Sequence, residues 1–317
     1  MRGVFLDTST VTDGDVDLAP ISTSLDTCTF NTLTAPAEIA ATIQDADIVI
    51  SNKAVLDDTA IGTARRLKLV CIAATGTNNV DLEAARAANI DVCNVRAYAT
   101  PSVVEHVFML LLALNRRLSE HTAAVNRGDW QHASRFSMLD FPFRELRGQT
   151  LGIIGYGELG QAVASTARAF GMNVLVAERR GIPERPGRCA HDALLAAADV
   201  ISLHCPLTPS TENLLDMAAF RKMRPGAIVI NTARGGVVNE ADLLAALQAG
   251  IIAGAGIDVL ADEPPVAGSP LLTAQLPNLL VTPHVAWAAV NARQRLVDEI
   301  AENIRAFING SPRNLVN

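Results

Sequence analysis

Three side chains in the second half of this 317-residue chain could carry chemistry, and each follows an apolar run of strand length. Arg234 comes after 227–231 in Asn231-Thr-Ala-Arg-Gly-Gly236, Glu263 after 254–258, and His284 after 279–282. A guanidinium presents a planar fork to a carboxylate or carbonyl oxygen. A histidine exchanges a proton near neutral pH, and a carboxylate beside it favours and orients the imidazolium. Taken singly, each has an ordinary reading: an arginine capping a turn, a solvated glutamate, a structural histidine. At successive strand ends of one parallel sheet, however, they face one cleft, because ligands lie beyond the carboxyl ends of the strands. Arginine then binds and polarises a 2-keto acid, histidine supplies the proton, and glutamate supports the histidine.

A second pattern supplies the other reactant. Leu151-Gly-Ile-Ile154 reads as a buried strand, and it runs into Gly155, Gly157 and Gly160 before a helical pattern at Leu159, Ala162, Val163, Ala167 and Phe170. Strand, glycine turn and helix form the context in which G-x-G-x-x-G binds a dinucleotide, with the pyrophosphate on the free N–H groups at the helix start. Glu178 ends the next strand, 173–177, where a carboxylate accepts hydrogen bonds from the adenosine ribose.

The elements that position these groups are read from periodicity. Strands are expected at 4–6, 48–50, 69–73 and 90–93, with helices at 36–44, 58–65 and 81–88 between them. A long helix, 101–121, follows, capped by Thr100 with Pro101 in its first turn. It is apolar on nearly every face, so it is buried between layers, domains or subunits. Six more strands are expected at 151–154, 173–177, 199–203, 227–231, 254–258 and 279–282, then a last helix at about 291–309. Alternating strands and helices imply an α/β fold of parallel sheets. We expect two domains: a doubly wound Rossmann dinucleotide-binding domain at 100–285, inserted into a discontinuous outer domain of 1–99 plus 286–317. The polar, glycine- and proline-bearing stretch 179–188 reads as an exposed loop.

Composition narrows the class. A net charge of −7 argues against nucleic-acid or anionic-membrane partners, and 49% apolar residues are enough for a sizeable interior. No apolar run is long enough to span a bilayer, and the N-terminus turns acidic at Asp7, too early for a signal peptide. Five cysteines without close pairs, Cys71 and Cys93 among them in apolar runs, read as reduced thiols. A cytoplasmic protein is the expectation. His191, His204 and Cys205 lack zinc-site spacing, so no metal is expected.

Over nearly its whole length the chain resembles the D-isomer-specific 2-hydroxyacid dehydrogenases. The resemblance rests on Gly155-Tyr-Gly-Glu-Leu-Gly160, Asn231-Thr-Ala-Arg-Gly-Gly236, Gly256-Ile-Asp-Val259, Glu263-Pro264 and Pro283-His284. It implies a flavodoxin-like outer domain and a catalytic set of Arg234, Glu263 and His284. It also places the nicotinamide carboxamide on Asp258. Further cofactor contacts carry over to Tyr156, Glu158, Leu159, Arg179, His204, Cys205, Pro206, Thr211, Thr232, Ala233 and His284 itself. The substrate carboxylate falls on Thr75 and Gly76 in Ala74-Thr-Gly-Thr-Asn78, a turn whose N–H groups suit an anion. Asn52 and Arg234 complete the substrate contacts. Trp287 either walls the site or packs in a core or interface. Within the family, Ser51-Asn-Lys-Ala-Val-Leu-Asp57, Asp129-Trp130, Asp140-Phe-Pro-Phe143 and Val285-Ala-Trp287 resemble the glycerate dehydrogenase (hydroxypyruvate reductase) branch.

The resemblance implies hydride transfer to a small 2-keto acid, with domain closure excluding water. It also implies a homodimer paired through the nucleotide domain. Glu178 disfavours a 2′-phosphate and points to NAD, whereas Arg179 and Arg180 leave NADP open. D-lactate and phosphite oxidoreductases share the same triad, and a dinucleotide-sensing corepressor of this fold is the rival from another class.

Overall fold

Short runs of Val, Ile and Leu, buried on both faces, build two all-parallel sheets, as strands covered by helices on either side require. The computed structural model covers residues 1–317 and divides into two units, 1–99 with 287–317 and 100–286. In the first, β1 (Arg2–Phe5), β2 (Thr27–Phe30), β3 (Ile48–Ser51), β4 (Leu69–Ile72) and β5 (Asp91–Cys93) run in the order β2-β1-β3-β4-β5. That is the flavodoxin-like order. Strand β2 was absent from the sequence expectation. Its residues Thr-Cys-Thr-Phe alternate between exposed and half-buried at the sheet edge, so no apolar run announces it.

The first unit is completed from the far end of the chain. Helix Val290–Ile308 packs on helix Ala19–Ser22 and on β4, burying Leu296, Val297, Ile300 and Ile304. Arg293 donates to both Asp15 carboxylate oxygens at 2.7 and 2.6 Å, and Asn303 Nδ2 donates to Asn94 O at 3.0 Å. The final residues then pair antiparallel with the free edge of β5. Val316 N donates to Val92 O at 2.9 Å, and Leu315 bridges Cys93. An open strand edge is thereby covered.

In the second unit, β6 (Thr150–Ile154), β7 (Asn173–Val176), β8 (Val200–Leu203), β9 (Ile228–Asn231), β10 (Gly254–Ile257) and β11 (Leu279–Val281) run β11-β10-β9-β8-β6-β7. All six lie at the expected positions. The doubly wound fold also places a strand outside β7, and here a single bridge between Ala177 and Cys189 fills that place. The chain reverses its winding between β6 and β8, opening a crevice where the glycine turn lies.

The expected helix 101–121 is two helices, Thr100–Asn115 and Leu118–Asn126, separated by Arg117 in the left-handed region at φ +52°. The break falls where burial ends. Asn115 Nδ2 donates to Arg144 O at 2.8 Å, and the Arg116 guanidinium lies 3.9 Å from the Phe143 ring centre. Arg117 turns back to Glu120 at 2.8 Å. The first of these helices packs tightly on the sheet because Gly256 carries no side chain: a Cβ there would stand 2.9 Å from Leu110 Cβ. Its other flank meets helix Glu158–Ala169, where Phe108 and Phe170 stack at 5.1 Å.

All five cysteines are free thiols; Cys71 and Cys93 lie side by side on β4 and β5, both buried. No helix is long and apolar enough to cross a membrane.

Candidate active site

Register brings the three chemical groups to one edge. Asn231, Ile257 and Val281 are directly paired across β9, β10 and β11, so the loops carrying Arg234, Glu263 and His284 leave the sheet at one level. Buried Asn231 shapes the first loop: its Oδ1 accepts from Ala233 N at 3.0 Å, and its Nδ2 donates to Arg234 O at 2.9 Å. The Arg234 side chain is left exposed beyond the strand end. Glu263 folds back so that Oε1 accepts from Leu260 N at 2.8 Å, while Oε2 lies 2.6 Å from His284 Nδ1. Because Nδ1 is engaged by Glu263, Nε2 is the nitrogen available to a substrate. Side chains of both residues remain about one-third exposed, as a proton-exchanging pair needs.

His284 has φ +55°, a left-handed backbone that costs a residue with a Cβ about 1–2 kcal/mol. The carboxylate of Asp258 holds it there. Asp258 Oδ1 accepts from Val285 N at 3.0 Å and Oδ2 from Ala286 N at 2.9 Å, while Asp258 O accepts from His284 N at 2.8 Å. Burial alone would raise this carboxyl, but hydrogen bonds from His106, Thr282 and those two amides outweigh it and hold it below the ordinary range. The structure thus gives Asp258 partners other than the carboxamide that the resemblance assigns to it.

The cofactor turn fits a dinucleotide. Gly155, at φ +95°, leaves no room for a Cβ, which would stand 2.5 Å from Cys205 N; at Gly160 a Cβ would stand 2.1 Å from Gly155 O. Gly157, by contrast, has nothing within 4 Å of its missing Cβ, and it caps helix Glu158–Ala169 without a side-chain bond. That leaves open space over free N–H groups, the setting for a pyrophosphate. Two buried polar atoms in this region lack partners, His204 Nδ1 and Thr232 Oγ1, both just past strand ends. Burial pushes His204 down to about 4, so its imidazole is neutral; its Nε2 meets Ser202 Oγ at 2.8 Å. Burial also pushes the neighbouring Cys205 thiol up.

The remaining expected contacts divide. Leu159 is half-buried at the helix start, and Glu158, beside it, takes a hydrogen bond from Thr100 Oγ1. Tyr156 has the Arg188 guanidinium 5.8 Å from its ring centre. Thr211 spends its hydroxyl on Pro206 O at 2.6 Å, closing its own loop, and Ala233 is fixed by Asn231. Glu178 is buried and already engaged: Arg185 donates to its two oxygens at 2.6 and 2.7 Å, and Arg179 N donates at 2.9 Å. The Arg185 fork holds this carboxyl down at about 2. A ribose reaching Glu178 competes with Arg185, a partner that the sequence reading did not foresee.

In the first unit, Thr75 and Gly76 follow β4. Thr75 Oγ1 donates to Val95 O at 2.8 Å and Asn94 Nδ2 donates to Thr75 O at 2.7 Å, while the two backbone N–H groups take no acceptor within the chain. Asn52 is buried and donates to Thr10 O and Thr10 Oγ1 at 3.1 and 3.0 Å, so its amide braces a loop. That loop hangs on Asp7, whose carboxylate accepts from the N–H groups of residues 52, 53 and 54. Trp287 packs edge-on to Tyr98 at 6.4 Å. Beyond Asp7, the residues missed from sequence are Ser102 and His106, one helical turn apart on a buried face and bonded to the His284 loop. Two polar residues at that spacing on so apolar a helix were the available signal.

Comparison with known proteins identifies the family. Residues 108–286 match the family described as D-isomer specific 2-hydroxyacid dehydrogenase, NAD binding domain. The chain is 46% identical over 281 residues to a glycerate dehydrogenase of Methylorubrum extorquens, covering 89% of this chain and 88% of that one. It is 36% identical to a hydroxypyruvate reductase of Blautia hydrogenotrophica over the full length of both. Among solved structures, D-lactate dehydrogenase from Aquifex aeolicus, complexed with NAD and lactic acid, matches with a TM-score of 0.82 at 28% identity, covering 98% of this chain and 96% of that one. The chain belongs to the D-isomer-specific 2-hydroxyacid dehydrogenases.

Proposed function

We propose that the protein reduces a small 2-keto acid, hydroxypyruvate or glyoxylate first, to the D-2-hydroxy acid. The observation that carries this reading is the 2.6 Å pairing of His284 with Glu263 on the strand edge that also presents Arg234. The cofactor is NAD, which supplies the hydride for the keto carbon when bound in its reduced form. Arg234 takes the substrate's carboxylate and keto oxygen in its fork. His284 Nε2 gives a proton to that oxygen as negative charge develops on it, and takes it back in the reverse direction. Glu263 fixes the ring through Nδ1.

NADH oxidation with hydroxypyruvate, glyoxylate and pyruvate tests the reading. Fastest turnover on hydroxypyruvate supports it, and NADH binding without turnover on any of the three overturns it. NADPH run beside NADH reports whether Arg179 and Arg180 accept a 2′-phosphate. For Glu263→Ala, kcat for reduction is expected to fall by about 10²-fold, because His284 Nδ1 loses the partner that orients the ring. An unmoved kcat removes Glu263 from this role. The exposed Trp130, Phe136, Leu139 and Phe143 suit pairing of two copies, and light scattering is expected to return twice the 33.5 kDa chain mass.

A further inference from the structure

We infer that His106 is a positioning residue for His284, acting through Thr282 and Asp258 from the buried face of helix Thr100–Asn115. The inference rests on the reading of His284 as the proton donor. His106 Nε2 lies 2.9 Å from Thr282 Oγ1 and 3.3 Å from Asp258 Oδ1. Thr282 Oγ1 lies 2.6 Å from the same Asp258 oxygen. A hydroxyl has one proton, and an ionised carboxylate only accepts. Thr282 must therefore donate to Asp258 and accept from His106, which puts a hydrogen on His106 Nε2.

These bonds close a frame around the catalytic histidine. Thr282 precedes His284 by two residues, and Val285 and Ala286 follow it. All three donate to the one carboxylate that His106 backs. One turn earlier on the helix, Ser102 Oγ donates to Ala286 O at 2.6 Å. The helix thus grips the loop on both sides of His284, whose left-handed backbone needs such a constraint to persist. Nothing in this network touches the substrate-facing nitrogen, so its effect is on where His284 stands. A buried histidine serving packing alone would not need one acceptor on the segment that carries the proton donor and another on the carboxylate that holds that segment.

The test uses the full-length chain with His106→Leu, His106→Gln and His284→Asn. Glutamine carries an N–H donor near the position of Nε2; leucine fills similar space without one. For His106→Leu, kcat with NADH and hydroxypyruvate is expected to fall by about 10²-fold, the effect of a misplacement near 1 Å. KM for the keto acid and the NADH dissociation constant, read by fluorescence, stay within about twofold. Hydrogen exchange of the segment 282–288 quickens in the protein without cofactor. His106→Gln restores both kcat and protection. Should the leucine variant fail to fold, Thr282→Val removes the same relay and is expected to lower kcat in the same way. Unchanged kcat in His106→Leu, with His284→Asn inactive, overturns the positioning role and leaves the proton-donor reading standing. Lost NADH binding that glutamine does not restore also overturns it, because the role is then structural. If His284→Asn turns over normally, the proton-donor reading falls instead. Unchanged exchange of 282–288 in His106→Leu would then overturn the bracing itself.

Discussion

His284→Asn is expected to lower kcat for keto-acid reduction by about 10²–10⁴-fold, the contribution of a positioned general acid. Asparagine is the informative replacement because position 284 sits at φ +55°, and asparagine tolerates that region better than most residues with a Cβ. The bonds from Val285 and Ala286 to Asp258 involve only backbone donors, so the loop keeps its frame. What is lost is the ring whose Nδ1 meets Glu263. Binding of NADH is expected to change little, since the turn from Gly155 to Gly160 is separate from this loop. Turnover at the wild-type rate would refute the assignment.

Gly235→Ala is expected to be as damaging to kcat while adding no polar group at all. A Cβ at Gly235 would stand 1.9 Å from Leu260 C, 2.0 Å from Leu260 O and 2.4 Å from Ala261 N. All three are backbone atoms, so no side chain can rotate away. The neighbour that must yield is the turn whose Leu260 N donates to Glu263, and the residue that must yield with Gly235 is Arg234. Overpacking of this kind costs about 1–3 kcal/mol of stability. A shift near 1 Å in either loop costs on the order of 10²-fold in rate. Gly226→Ala, just before β9 and with nothing within 4 Å, is the control and should leave both thermal midpoint and kcat near wild type. Full activity of Gly235→Ala would show that the Arg234 and Glu263 turns move independently.

The chain announces some of this plainly. Strands buried on both faces, such as Ile48–Ser51 and Ile228–Asn231, appear as apolar runs because parallel sheets leave no polar face. Arg234, Glu263 and His284 were legible because each follows such a run, and the sheet itself converts that order into adjacency. Strand Thr27–Phe30 was not, since an edge strand mixes polar and apolar residues. The break at Arg117 was hidden because helical propensity continues through Asn115 and Arg116; it is their tertiary partners in 143–149 that end the helix. Glu178 was read as an acceptor for a ribose, but pairing with Arg185 depends on how the loop 179–188 folds back, which spacing does not encode. His106 escaped notice for a similar reason. Its partners lie about 150 and 175 residues onward, and only the packed helix brings them together.

The last few residues, which close the edge of β5, also fix an order of events during synthesis. Cys93 is made early, but the Leu315 that bridges it follows only after roughly 220 further residues. At about 5–20 residues per second, the nascent chain carries an open parallel edge for about 10–45 s. Meanwhile the whole of 100–286 emerges and holds every strand of its own sheet. The inserted unit is therefore the first to finish folding, although its first residue is the hundredth. The first unit stays unpaired at β5 until Leu315 and Val316 have been made.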